Sequence, residues 1–257
     1  MKKIFTLLCS ALFLFAATSC QQKAQKLLLA GSGWNKVVII DKNTKQIEWE
    51  HPIQKGWECN SAVATPDGNI LFAYKKGAKL ITRDQKELWN IPAPDTCEMQ
   101  TARVLPDGNY LLAWCGHPAK IMEVSPKGDI LSETVYETGI DRPHARFRQV
   151  NKNRAGNYLM PLFATSEVRE ISPAGELVKT TKLEGTPYST VLLNNGNYMV
   201  ACGDGHSLME VNLDKGEIIR RIGEKDIEGV SLFFVAQLLP TSNNGLYICN
   251  WQGHDPS

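Results

Sequence analysis

Helical periodicity is missing from this sequence. After residue 25 no stretch repeats its apolar residues every three or four positions, which excludes a coiled coil and points away from helical classes. An excess of one charge sign is missing too: 28 Lys+Arg face 27 Asp+Glu, for a formal net charge of +1. Neutralising phosphates needs clustered Lys and Arg, so no nucleic-acid partner is expected. HExxH, a Walker loop, G-x-S-x-G and the EF-hand pattern are all absent. Gly31-Ser32-Gly33 and Gly203-Asp204-Gly205 are too short for dinucleotide fingerprints and have no helix to meet a phosphate. No cysteine pair has CxxC spacing among the seven present. What is there, 43% apolar residues with 20 Gly and 13 Pro, fits a folded globular chain.

The start of the chain reads as an address. Met1-Lys2-Lys3 is basic, and positions 4 to 17 form an almost unbroken apolar run, too short for a comfortable membrane span but suited to a signal-peptide core. The run ends in Ala17-Thr18-Ser19-Cys20, which resembles the signal of bacterial lipoproteins, including those of Bacteroides-like bacteria. The resemblance implies cleavage before Cys20 and lipidation of its thiol. Residues 1–19 are thus expected to be a signal peptide, 20–25 a lipidated tether and 26–257 the folded domain. The expected location is a bacterial membrane, the outer membrane foremost, on its periplasmic or its surface side. Cys59, Cys97, Cys115, Cys202 and Cys249 remain, an odd number, read mostly as small apolar residues in buried strands.

One unit recurs along the rest: an apolar strand, a tight turn and a second apolar strand. Pro66-Asp67-Gly68-Asn69 returns as Pro106-Asp107-Gly108-Asn109, with weaker copies at Gly156, Gly196 and Gly245. These glycines are spaced by 40, 48, 40 and 49 residues. Asp-Gly and Asn-Gly supply the positive φ that hairpin turns require. A second hairpin follows each of the first four, as in Ile121 to Leu131 and Val168 to Val178. Two hairpins per repeat make a four-stranded antiparallel sheet, the size of one propeller blade. A β-sandwich would also contain many short strands, but the same two turns recurring at fixed phase argue against it. The fold expected is an all-β β-propeller.

The hairpin from Val37 to Trp49 has an Asp at 41, a Thr at 44 and a Trp at 49, and Leu80 to Trp89 is a looser copy. This pattern resembles the tryptophan-docking repeat of quinoprotein-type (PQQ-like) propellers. The resemblance implies the fold and not the cofactor, because the vicinal Cys pair of many quinone enzymes is absent; no cofactor is expected. Strand counting gives three strands over 26–51, four full blades near 58–91, 97–137, 144–183 and 187–222, and two strands over 233–251. That predicts a six-bladed parent, with seven as the fallback, whose last blade is incomplete in this chain.

In a propeller the loops between blades and those between second and third strands share one face, around the channel mouth. Trp34, His117, Thr165, His206 and His254 fall in or beside the latter loops, with Trp114 and Trp251 just before two of them. The former contribute Trp57, Glu58, Asp95, Glu98, His144, Arg146 and Tyr188. Four of five His and four of six Trp thereby approach one end of the ring.

Trp and Tyr offer flat contact area while His, Arg and Glu fix polar groups, so a mouth binding a small molecule, glycan or protein is the first reading. A metal held by His117, His206, His254 and Glu58 or Glu98 is a second, though these residues come from different blades, and no metal is assigned. Structural Gly-His turns are a third. His144, between Arg142 and Arg146, is the most reactive-looking residue, since flanking cations favour neutral imidazole. The strand pattern is also similar to arylsulfotransferase propellers. That resemblance implies His144 as a nucleophile, with Arg142 and Arg146 holding an anionic group. An arylsulfotransferase-like or lyase-type enzyme is therefore the alternative to a binding protein.

Overall fold

The computed structural model describes residues 25–241 and 243–252, and these are strand and turn almost throughout. The first sheet comprises β1 (Lys26–Leu29), β2 (Lys36–Asp41) and β3 (Ile47–Pro52). The next holds β4 (Cys59–Ala64), β5 (Ile70–Tyr74), β6 (Gly77–Ile81) and β7 (Glu87–Pro92). It is followed by β8 (Glu98–Val104), β9 (Tyr110–Cys115), β10 (Ala119–Val124) and β11 (Ile130–Tyr136). The fourth contains β12 (Asn151–Lys152), β13 (Tyr158–Leu162), β14 (Glu167–Ile171) and β15 (Leu177–Lys182). The fifth contains β16 (Ser189–Leu192), β17 (Tyr198–Ala201), β18 (Ser207–Asn212) and β19 (Glu217–Gly223). β20 (Phe234–Pro240) and β21 (Leu246–Trp251) pair with each other alone.

The chain is a β-propeller, and its strands join in sequence order within each sheet, all antiparallel. The blade count differs from the sequence expectation. The described residues build five blades and one two-stranded ribbon, rather than six or seven blades. The Asn244-Gly245 turn has the chemistry of a blade's first hairpin, so counting turns promotes β20–β21 to a blade. No second hairpin follows it among the described residues. The ribbon lies beside the first sheet, where Lys42 Nζ donates to the Tyr247 hydroxyl at 2.7 Å. Cys20 and the signal segment, most of the tether, and His254 lie outside the described residues.

The second strand of each of the second to fifth sheets (β5, β9, β13 and β17) is buried along nearly its whole length because both faces of a blade are covered by neighbours. Each junction has its own core, such as Leu71, Leu80, Met99 and Leu112 between the second and third sheets, and Leu111, Ile121, Phe147 and Tyr158 between the third and fourth. The outer strands are bound across the junctions by side chains. Trp49 Nε1 donates to the Arg83 carbonyl at 2.7 Å, and Trp89 Nε1 to the Pro126 carbonyl at 3.2 Å. Farther round, Thr134 Oγ1 reaches the Pro173 carbonyl at 2.7 Å and Lys179 Nζ reaches that of Asp214. The Trp49 and Trp89 indoles therefore dock onto the turn of the following blade.

Near the axis the strands are joined by buried polar side chains. Ser61 Oγ donates to the Ala102 carbonyl, Thr101 Oγ1 to that of Arg148 and Ser189 Oγ to that of Ala236, each at 2.8 Å. Gln149, fully buried, donates to the Asn60 carbonyl at 2.6 Å and the Gln100 carbonyl at 3.3 Å. Bulges at Cys59/Ser61, Met99/Thr101 and Val235/Leu238 free the Asn60, Gln100 and Ala236 backbone from the ladders.

Candidate functional site

At the head of β8, Glu98 accepts from Lys75 (3.3 Å) and stands 3.1 Å from Nδ1 of His144. His144 sits on a single 3-10 turn, Pro143–Ala145, started by the fixed φ of Pro143. The His144 contact, ahead of the cost of burial and with help from Lys75, holds the Glu98 carboxyl down at about 2. His144 is itself half exposed. It is thus an imidazole with one nitrogen engaged and the ring open to solvent.

Arg146 points the other way. It is fully buried, its Nε donating to the Ile140 carbonyl at 2.6 Å and its Nη2 to that of Asp141 at 2.9 Å. The loop between the third and fourth blades is folded around this guanidinium. Arg146 therefore braces the turn that carries His144 through Nε and Nη2, while its buried Nη1 has no hydrogen-bond partner among the described residues.

Two residues on, Arg148 projects from the chain entering β12. Its guanidinium lies 4.7 Å from the ring centre of Phe163, a residue of the loop between β13 and β14. Phe163 begins an aromatic series: Tyr188 at 5.7 Å, Phe234 a further 5.7 Å from Tyr188, and Trp251 5.5 Å from Phe234. Edge-on and tilted packing of this kind is the favoured arrangement for aromatic quadrupoles. Burial pushes the Tyr188 hydroxyl up to about 12, against the opposing field of Arg148, with Glu58 adding to the rise. The hydroxyl is protonated at neutral pH and available as a donor.

The remaining predicted residues are engaged elsewhere. Trp57 stacks on Tyr74 at 5.0 Å, Trp34 is exposed beside Gly31, and Trp114 lies under Lys120. His117 has Nδ1 3.4 Å from Glu137 and Nε2 3.2 Å from the Asp141 carbonyl. His206 is tied to the Leu232 and Phe233 carbonyls, the structural Gly-His turn. No group of three or more His, Cys, Asp or Glu among the described residues is placed to hold a metal ion. Of the predicted set, then, the fold gathers Glu98 with His144, and Tyr188 with Trp251 and the field of Glu58. Sequence reasoning missed Lys75, Arg148, Phe163 and Phe234. No local signal separated Arg148 from Arg146, since residues two apart in extended chain fall on the same side.

Compared with known proteins, residues 20–257 match the family described as Mal s 1 allergenic protein-like. The chain belongs to that family. The quinoprotein-type repeat family, which the Trp49 and Trp89 pattern resembles, is not the one matched. A crystal structure of a Bacteroides caccae protein of unknown function is 65% identical, with a TM-score of 0.89 over 91% of this chain and 85% of that one. A catalytically inactive virginiamycin B lyase from Staphylococcus aureus, solved with quinupristin, is similar at 16% identity and a TM-score of 0.63, covering 89% and 82%. The WD40 propeller domain of Doa1 is similar at 15% and 0.64, covering 87% and 71%. At such identities the last two show a shared fold and nothing finer. No curated protein matches this Mal s 1-like chain.

Proposed function

We propose that this Mal s 1-like propeller is an exported, lipid-anchored binding protein that takes a small ligand at the channel mouth. The observation that carries the reading is the aromatic series Phe163, Tyr188, Phe234 and Trp251, drawn from two loops and two strands to one place. Rings brought together from distant blades at a loop face give flat, rigid contact area at low entropic cost. The test is a thermal-shift screen of small aromatics and oligosaccharides, since binding raises apparent stability by mass action. A ligand that stabilises the parent chain should lose that effect in Phe163→Ala and Trp251→Ala. Equal shifts in parent and variants would remove the mouth from consideration. The anchor rests on the basic start, the apolar run and Cys20. Mass analysis of the mature N-terminus should find acylated Cys20, and an unmodified terminus would refute it.

One observation favours a second reading, an arylsulfotransferase-like or lyase-type enzyme: the His144–Glu98 contact at 3.1 Å orients an open imidazole. Arg146 gives two of its three nitrogens to backbone carbonyls, which leaves Nη1 alone for an anion. Turnover abolished in His144→Ala, with the fold intact, would establish the enzyme.

A further inference from the structure

Arg148 is 5% exposed and forms no ion pair among the described residues. Its hydrogen bond runs from Nη1 to the Phe147 carbonyl at 3.0 Å, leaving Nε and Nη2 without a hydrogen-bond partner among those residues. A guanidinium withdrawn from water without a counter-charge is costly, and it normally neighbours a carboxylate. Here the nearby acids do not serve. Glu98 is engaged by His144 and Lys75, and Glu58 makes no salt bridge at all among the described residues. The Tyr188 hydroxyl is a second donor without a hydrogen-bond partner there. It is close to Arg148, because the Gln149 N–H donates to the Tyr188 carbonyl at 3.2 Å and both side chains pack on Phe163.

We propose that Arg148 and Tyr188 together seat the carboxylate of a small aromatic acid whose ring lies against Phe163 and Phe234. This deepens the binding reading above and rests on it. A guanidinium fork presents two parallel N–H donors to a planar carboxylate, and a phenol adds a third. The charge balance selects a monoanion. One guanidinium accepts one negative charge, and a dianion would add its second to a mouth that already holds Glu58 and Glu98. The aromatic series selects a planar ring as the rest of the ligand.

The test is calorimetric titration of the full chain with benzoate, its neutral analogue benzamide, acetate and inorganic phosphate. Benzoate should bind at least tenfold more tightly than benzamide, acetate or phosphate. Arg148→Met, which removes the charge at similar volume, should weaken benzoate by tenfold or more, and Arg148→Lys by less. Tyr188→Phe should weaken it a few-fold, and it serves as the second probe should Arg148→Met fail to fold. Equal binding of benzoate and benzamide, benzoate affinity unchanged in both Arg148→Met and Tyr188→Phe, tighter binding of phosphate, or no benzoate binding at tens of millimolar would each overturn the proposal. If benzamide equals benzoate and Phe163→Ala weakens both, the binding mouth stands and the carboxylate seat falls. If Phe163→Ala weakens neither, both fall.

Discussion

A methyl group on Gly128 would stand 2.9 Å from Cγ of Trp89, so the indole lies directly on the backbone of the next blade's turn. Gly128 also has φ of 94°, which L side chains rarely adopt. Gly128→Ala therefore combines backbone strain with displacement of the ring, and a loss of about 2 kcal/mol is expected. Trp89→Phe keeps most of the packing but drops the bond to Pro126, for about 1 kcal/mol. Urea denaturation of the two variants checks the order. A Gly128→Ala chain as stable as the parent would show that the indole does not hold this junction.

The same register position is filled differently farther round the ring. Trp49, Trp89 and Lys179 lie opposite Ile39, Leu80 and Glu170, each beside the bulge of its outer pair. Lys179 already points to the Asp214 carbonyl, and its Cε is 3.8 Å from where a Cβ on Gly216 would be. Lys179→Trp should then dock as Trp89 does and stabilise the chain by about 1 kcal/mol through added apolar burial. The exposed lysine contact it replaces contributes little. A lowered denaturation midpoint would show that the fourth and fifth blades are spaced differently from the second and third.

How much of this was legible beforehand depends on range. The Asp67-Gly68 and Asp107-Gly108 turns and the alternating strands are local signals, so the blades and their order could be read from them. The Asp41-Thr44-Trp49 spacing is local too, and it pointed to the fold. The two strands over 233–251 were read as such, but the six-bladed parent failed, because a local turn signal at Asn244-Gly245 does not say whether its hairpin belongs to a blade. At the mouth, loop position made His117 and His206 candidates, but their bonds to the Asp141, Leu232 and Phe233 carbonyls depend on segments more than twenty residues away. Arg146 and Arg148 look alike in the sequence. Only packing tells that Arg146 gives two nitrogens to backbone carbonyls and Arg148 one.

Gln149 carries more of the axial seam than its neighbours. It donates to carbonyls of both the second and third blades and lies 3.3 Å from the Ser61 hydroxyl. Gln149→Leu, close in volume, would leave those two carbonyls buried and unmet, and a loss of about 3 kcal/mol is expected. Ser61→Ala removes one donor and should cost about 1 kcal/mol. Should thermal unfolding rank Ser61→Ala as the worse of the two, the seam is held elsewhere.

Glu98 offers a titration of the mouth itself. Its carboxyl is held at about 2 against an ordinary 4.5, and the His144 contact is the largest cause. A depressed folded-state pKa means the carboxylate's stabilising contribution is complete above about pH 4.5 and is lost as pH falls through about 2. In His144→Ala the main cause is gone while the cost of burial and the help from Lys75 remain, so the Glu98 midpoint should move up from about 2. Carboxyl ¹³C titration by NMR follows this directly, and Glu98→Gln identifies the resonance. The acid limb of the thermal stability curve should shift the same way, with His144→Ala losing stability at a higher pH than the parent. If the Glu98 midpoint is the same in both chains, the imidazole does not govern this carboxylate, and the oriented His144 on which the enzyme reading depends has no anchor.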